Sequence, residues 1–177
     1  MPGEYSKTFA VIGIDPGLTG AFAMVQIHEG GERQFMGGAR MCVESQDKAG
    51  PLGAKSRVIS HYGVAATLDG MQKDARGDIW CCIEGQSYRK RQAVRSTFVT
   101  AFNYGILWTA AAAVFPYTTS IVLPEIWKRD LGLSPSKALS KRIAAELFEQ
   151  DFQTEGIAEA ALIAWWRARR LTAMLAQ

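Results

Sequence analysis

Thr8-Phe9-Ala10-Val11-Ile12-Gly13-Ile14-Asp15-Pro16-Gly17-Leu18-Thr19-Gly20 is the stretch on which the reading of this chain turns. Residues 8–14 form a short apolar run rich in β-branched side chains. The run ends at Asp15-Pro16-Gly17, so it reads as a strand entering a tight turn. Working outward, a second strand is predicted at about 20–28, and the Gly30-Gly31 turn leads to a third at about 33–43. Short glycine-bearing turns join all three into a meander.

Residues 45–54 are polar and read as a loop. Residues 55 to about 73 carry Val58, Ile59, Tyr62, Ala65, Ala66 and Leu68 at mostly helical spacing, which predicts a helix. Residues 78–84 hold Ile79-Trp80-Cys81-Cys82-Ile83, a buried strand with a carboxylate at its end. Residues 92–115 are rich in Ala, Phe and Trp, as expected of a helix buried against a sheet and stopped by Pro116. On it Phe98, Phe102, Tyr104 and Trp108 read as core. A strand at 119–123 follows, then a short turn at 124–131 containing Trp127. An amphipathic helix at 135–150 is capped by Ser134, and a last helix runs from about 154 to 175. An antiparallel start followed by alternating helices and strands predicts an α/β fold: a five-stranded mixed sheet with helices on both faces.

A chain of 177 residues, 48% of them apolar, suffices for one core but not for two lobes closing on a cleft. A single domain spanning 1–177 is therefore expected, with 1–6 a flexible tail. That length argues against actin-like ATPases and sugar kinases, which share an acidic turn after their first strand. No apolar run reaches the roughly 20 residues of a membrane span, and Met1-Pro2-Gly3-Glu4 lacks the features of a signal peptide. The expectation is a soluble cytoplasmic protein with no membrane association and no organic cofactor. Cys42, Cys81 and Cys82 form no C-x-x-C pair, and the adjacent two point to opposite faces of a strand, so they read as buried thiols. His28 and His61 have no metal-ligand spacing.

The formal charge is only +3, but its distribution is uneven. Cations gather at Arg89, Lys90, Arg91 and Arg95, then at Lys128, Arg129, Lys137, Lys141 and Arg142, and again at Arg167, Arg169 and Arg170. These stretches are candidates for contact with a phosphate backbone. The string Gln86-Ser87-Tyr88-Arg89-Lys90-Arg91 follows a strand-end acid directly and sets an aromatic among cations, as stacking on an unpaired base with phosphate contact would require.

Three acidic features carry the candidate chemistry. Asp15 projects from the end of a strand beside glycines that admit a large anion. Glu84 closes an otherwise apolar strand, where an ionised carboxylate needs a counter-charge. Glu155 and Glu159 stand four apart at the start of the last helix and so share a face. Like charges there are unfavourable unless a cation lies between them. The helix dipole accounts for Glu155 alone, but less well for Glu159 amid Ala160-Ala161-Leu162-Ile163.

With these residues in view, the chain resembles the Holliday-junction resolvases related to RuvC, members of the RNase H-like superfamily. The strings Ile12-Gly13-Ile14-Asp15-Pro16-Gly17-Leu18-Thr19-Gly20, Ile83-Glu84-Gly85-Gln86 and Glu155-Gly156-Ile157-Ala158-Glu159-Ala160 are similar to that family's three acidic motifs, in order and across nearly the whole chain. The phage and chloroplast branch, whose last motif reads D-G-x-A-E-A, is most similar. Pro124-Glu125-Ile126-Trp127-Lys128 and Ser136-Lys137 resemble the family's basic stretch after the fifth strand. The resemblance implies an RNase H-like fold in which Asp15, Glu84, Glu155 and Glu159 hold two Mg²⁺ or Mn²⁺ ions about 4 Å apart. It implies that Lys128 and Lys137 lie near the scissile phosphate; from position after Glu84 and from charge, Gln86, Tyr88, Arg89, Lys90, Arg91 and Arg95 are expected on the DNA. It implies a homodimer cutting a four-way junction of near two-fold symmetry. One position departs: the family usually carries Asp where this chain has Glu155. A nuclease acting on RNA-DNA hybrid or RNA would need the same acids, and a junction-binding protein with weakened catalysis is the reading the Glu155 departure keeps open.

Overall fold

The computed structural model describes residues 8–46, 56–86, 93–134 and 136–175. Among the described residues, seven strands and five α-helices run in the order β1 (Phe9–Asp15), β2 (Ala21–Ile27), β3 (Arg33–Arg40), β4 (Val43–Gln46), β5 (Ser56–Ile59), α1 (His61–Asp74), β6 (Asp78–Glu84), α2 (Val94–Val114), β7 (Thr119–Val122), α3 (Pro124–Asp130), α4 (Lys137–Phe148) and α5 (Glu155–Leu175). The main sheet has the order β3-β2-β1-β6-β7. Its first three strands pair antiparallel, and β6 joins β1 in parallel, as β7 joins β6. The predicted five-stranded mixed sheet is present, and the expected boundaries of β6 match residue for residue.

Alternation along the strands sorts their side chains onto two faces. Ala10, Ile12 and Ile14 of β1, with Phe22, Met24, Cys81 and Ile83, pack under Val64 and Leu68 of α1 and Leu107, Ala110 and Ala111 of α2. The other face receives α5. There Ala21, Ala23 and Cys82 meet Ile157, Ala158, Ala161 and Leu162, while Val11 and Val25 meet Ala164, Ala168 and Leu171. Cys81 and Cys82 thus face opposite ways, both buried and unbridged. The contact between β1 and α5 is close enough to require glycine: a Cβ on Gly13 would lie 2.0 Å from the Ala160 carbonyl oxygen and 2.6 Å from the Ala164 nitrogen.

Four local expectations are corrected. Residues 56–59, read as the start of a helix, are strand β5, which pairs antiparallel with β4 as a separate two-stranded sheet. Val58 and Ile59 are buried there, the Ile59 N–H is taken by Asn103 Oδ1 at 2.9 Å, and Ser60 caps α1 only after them. The apolar pair Val58-Ile59 satisfies either period, and the long-range partner decides. β4 takes the first residues of the expected loop, whose remainder at 47–54 lies outside the described residues. The turn at 124–131 is helix α3, opened by Pro124 at its first turn. The next helix starts two residues later than predicted, its Leu139 N–H bonded to Ser136 Oγ rather than capped by Ser134.

α2 departs from expectation in burial as well as in run length. Its 21 residues are long and apolar enough to cross a membrane by length and composition alone. Here it packs on the sheet through Asn103, Leu107, Ala110 and Ala111. Phe98 and Trp108, expected in the core, are 54% and 37% exposed, on a face that the sheet does not cover.

Candidate active site

β1 and β6 are parallel neighbours in register, Ile14 opposite Ile83, so the strands end together and deliver Asp15 and Glu84 side by side. Both acids have the parity of the face that holds α5. α5 begins at Glu155, with the Ile157 N–H bonded to Thr154 Oγ1 at 3.2 Å, and the start of its second turn carries Glu159 over the same strand ends. The turn after β1 is closed by the Gly20 N–H to the Gly17 carbonyl at 3.1 Å. Gly20 admits no side chain, because a Cβ would fall 2.0 Å from the Asp15 carbonyl oxygen.

Asp15, Glu84 and Glu159 are 6%, 8% and 1% exposed. Two lysines reach them. Lys128, at the end of α3, donates to Glu159 Oε1 at 2.8 Å and stands 5.0 Å over the Trp127 ring. Lys137, the first residue of α4, lies 3.0 Å from Glu159 Oε2 and 3.5 Å from Asp15 Oδ2. Ser140, one turn further along α4, donates to Glu159 Oε1 at 3.3 Å.

The charges do not balance, since three carboxylates face two ammonium groups. Burial pushes the Asp15 carboxyl up to about 6, Lys137 pulling against it and Glu159 adding to it. Burial, reinforced by Asp15 and Glu159, pushes Glu84 up to about 7. For Glu159 burial acts in the same direction but is outweighed by the hydrogen bonds and charges of Lys128 and Lys137, which hold it below the ordinary carboxylate range. Lys137 is itself pushed up, because Asp15 and Glu159 together overcome its partial burial.

This donor set suits a hard divalent cation. It is made of carboxylate oxygens, two of them held in a place that disfavours their charge, and one ammonium already bridges Asp15 and Glu159 as a built-in counter-ion. Among the described residues, however, no three His, Cys, Asp or Glu side chains stand close enough to enclose an ion without adjustment.

Glu155 stands apart from this cluster. It is exposed and lines a cleft of about 710 Å³ with Lys137, Thr19, Gly20, Arg40 and Arg57. On the other side of the turn at residues 15–20 lies a cavity of about 520 Å³, lined by Pro16, Leu18, Gln86, Arg95, Val99 and Tyr104 among others. Two of the expected DNA contacts, Gln86 and Arg95, are therefore on that cavity. Tyr88, Arg89, Lys90 and Arg91 lie outside the described residues. In the third basic stretch, Arg170 pairs with Asp130 at 3.6 Å and Arg167 lies over Trp80 at 5.4 Å, while Arg169 is exposed.

Sequence reading missed Arg40, Arg57 and Ser140. Isolated cations at strand ends carry no local signal. Ser140 could have been found from its place three residues after Lys137, on the same helical face.

The strand order, the strand-end acids and the crossing helix that supplies a further acid define an RNase H-like fold. Within that class, the chain is similar to RuvC of Thermus thermophilus. In complex with a Holliday junction substrate, that structure matches at 13% identity over 93% of this chain and 96% of its own, with a TM-score of 0.61. A second Thermus thermophilus RuvC structure matches at 15% identity over 92% and 97%, with a TM-score of 0.56. The yeast mitochondrial Holliday junction resolvase matches at 14% identity over 93% and 82%, with a TM-score of 0.49. No protein-family model and no curated protein matches the sequence.

Proposed function

We propose that this chain is a metal-dependent endonuclease that resolves four-way DNA junctions. The observation that carries the reading is the meeting of Asp15, Glu84 and Glu159 at the ends of two adjacent parallel strands, beneath Lys128 and Lys137. The likeness in fold to RuvC, solved with a Holliday junction substrate, supports it.

Asp15, Glu84 and Glu159 would hold the cations, with Glu155 as a fourth ligand from the cleft side. When bound, a pair of Mg²⁺ or Mn²⁺ ions supplies the Lewis acidity of the reaction, easing deprotonation of the attacking water and offsetting charge on the leaving oxygen. The chain's own groups do the rest. Lys137, half exposed at the mouth of the cleft, can turn from its carboxylates to a phosphate oxygen. Lys128, more deeply set over Trp127, keeps Glu159 ionised and oriented. Arg40 and Arg57 line the cleft that would carry the strand's backbone.

A four-way junction has two strands to cut, so the proposal includes a homodimer. The uncovered face of α2, with Phe98, Ala101, Gly105 and Trp108 spaced three or four apart and no charge among them, is suited to meet its own copy about a two-fold axis.

The test is incubation with a synthetic four-way junction in Mg²⁺ or Mn²⁺, alongside linear duplex and RNA-DNA hybrid. Paired, symmetric nicks in the junction alone are expected. Preferential cleavage of the hybrid would replace this reading with a ribonuclease, and tight junction binding without any cleavage would make the chain a binding protein.

A further inference from the structure

The cavity beside the turn at residues 15–20 is not used by the phosphate chemistry, yet it opens within a few residues of two of the carboxylates. Pro16 and Leu18 follow Asp15 directly, and Gln86 is two residues past Glu84. Leu18 also lines the cleft that holds Glu155 and Lys137, so this one side chain stands between the two spaces. The spaces differ in chemistry. The cleft presents Arg40, Arg57 and Lys137, which suit a phosphate backbone, whereas the cavity presents Pro16, Leu18, Val99 and the Tyr104 ring.

Tyr104 contributes to this lining without its polar atom, because its hydroxyl is buried and has no hydrogen-bond partner among the described residues. Asn103, beside it on α2, is committed through its Oδ1 to the Ile59 N–H. The exposed Arg95 adds a cation to the same lining. At about 520 Å³ the cavity is within the size range of pockets that enclose small planar ligands.

We propose that this cavity receives the base of an unpaired nucleotide flanking the scissile phosphate, with Leu18, Val99 and the Tyr104 ring as its apolar walls and the exposed Arg95 guanidinium as the donor that reads the base edge. The inference rests on the junction-resolving reading and deepens it. A nucleotide at a branch point has lost a stacking neighbour, and an apolar slot beside the cut replaces that contact. The base then fixes which phosphate reaches Asp15 and Glu84, so the cavity sets the preferred cleavage sequence.

The test uses the full chain and four-way junctions carrying 2-aminopurine singly at each nucleotide around the crossover, without divalent metal. Wild-type protein brightens the probe at a position flanking the cut, as the base leaves its stack. Val99→Trp fills the cavity, so it loses that signal while junction affinity holds. Arg95→Ala keeps the signal but relaxes the preference among bases in metal-supported cleavage. If Val99→Trp fails to fold by thermal melting, Leu18→Ala carries the test by weakening the same signal. Wild-type protein that binds junction no better than duplex overturns the resolvase reading, and this inference with it. Tight junction binding with every probe position silent, or a signal that survives in the cavity variant, overturns the cavity assignment alone. Equal brightening or displacement by free 2-aminopurine deoxynucleotide identifies a mononucleotide site and overturns the assignment to the DNA strand.

Discussion

Lys137 Nζ lies 3.0 Å from Glu159 Oε2, across the contact between α4 and α5. The lysine side chain is half exposed and the carboxylate almost wholly buried, so the pair is anchored on one side and free to open on the other. Lys128 holds the same carboxylate from deeper in the fold, at 2.8 Å.

That difference in burial predicts unequal costs. Lys128→Met removes a mostly buried partner from a buried acid and should destabilise the metal-free protein by about 2–4 kcal/mol. Lys137→Met removes a half-exposed one and should cost about 1 kcal/mol or less, yet reduce cleavage far more than stability. Urea denaturation of both variants, beside junction cleavage, gives the comparison. The opposite order of stability would mean that exposure does not govern these pairs.

Glu155 has the face of Glu159 but not its company. If it joins the metal site as proposed, Glu155→Gln loses most cleavage, and Glu155→Asp retains or raises it. Were the acid kept only for the helix dipole, Glu155→Gln would cost roughly 0.3–1 kcal/mol of stability and leave cleavage near normal. Rates at saturating Mg²⁺ and melting temperatures of the two variants separate these outcomes.

The carboxyls also predict how stability follows pH in the absence of metal. Asp15 and Glu84 bind protons more tightly folded than unfolded, moving from 3.8 to about 6 and from 4.5 to about 7. Their ionisation therefore weakens the fold as pH rises from about 4 to 7. Glu159 has the opposite sign: its contribution is present above its ordinary value and is lost as pH falls through its lowered one. With respect to these three groups, metal-free protein should be most stable near pH 4. Glu84→Gln should raise stability at pH 8 by about 1–3 kcal/mol and change it little at pH 5. Saturating Mg²⁺ should stabilise wild-type protein more at pH 8 than at pH 5, because ligands must be deprotonated to bind. Guanidinium titrations across that range provide the check, and a wild-type optimum at pH 8 without metal would contradict the prediction.

The seat of α5 on β1 leaves no room for a methyl group. Gly13→Ala should lose roughly 3–5 kcal/mol, since the Cβ would meet two backbone atoms of α5 rather than a movable side chain. Gly70, where nothing lies within 4 Å of an added Cβ, is the control, and Gly70→Ala on the exposed side of α1 should be neutral or slightly stabilising. Equal effects at the two positions would show that the helix is not held at this distance.

Much of this architecture could be read from near neighbours along the chain. The apolar runs within residues 8–14 and 78–84, the glycine turns and the i, i+4 acids are local patterns, and they located Asp15, Glu84 and Glu159 on the correct elements. Reading failed where two patterns were equally local. Val58-Ile59 fits a strand as well as a helix, and only its pairing with Val43 and Glu44 settles it. Composition placed Phe98 and Trp108 in the core, but whether a helix face is covered depends on what else the fold sets against it.

By itself, then, the sequence determined the order of the main-sheet strands and the four longer helices, and which of them carry acids at their ends, because hydrogen-bond period and apolar patterning act over a few residues. Tertiary structure alone decided what those acids meet. Lys128 and Glu159 are 31 residues apart in the chain, and Lys137 and Asp15 are 122 apart. Their meeting, and the separation of Glu155 from it, follow from how α3, α4 and α5 seat against the sheet, and long-range packing that leaves only glycine room at Gly13 sets that position.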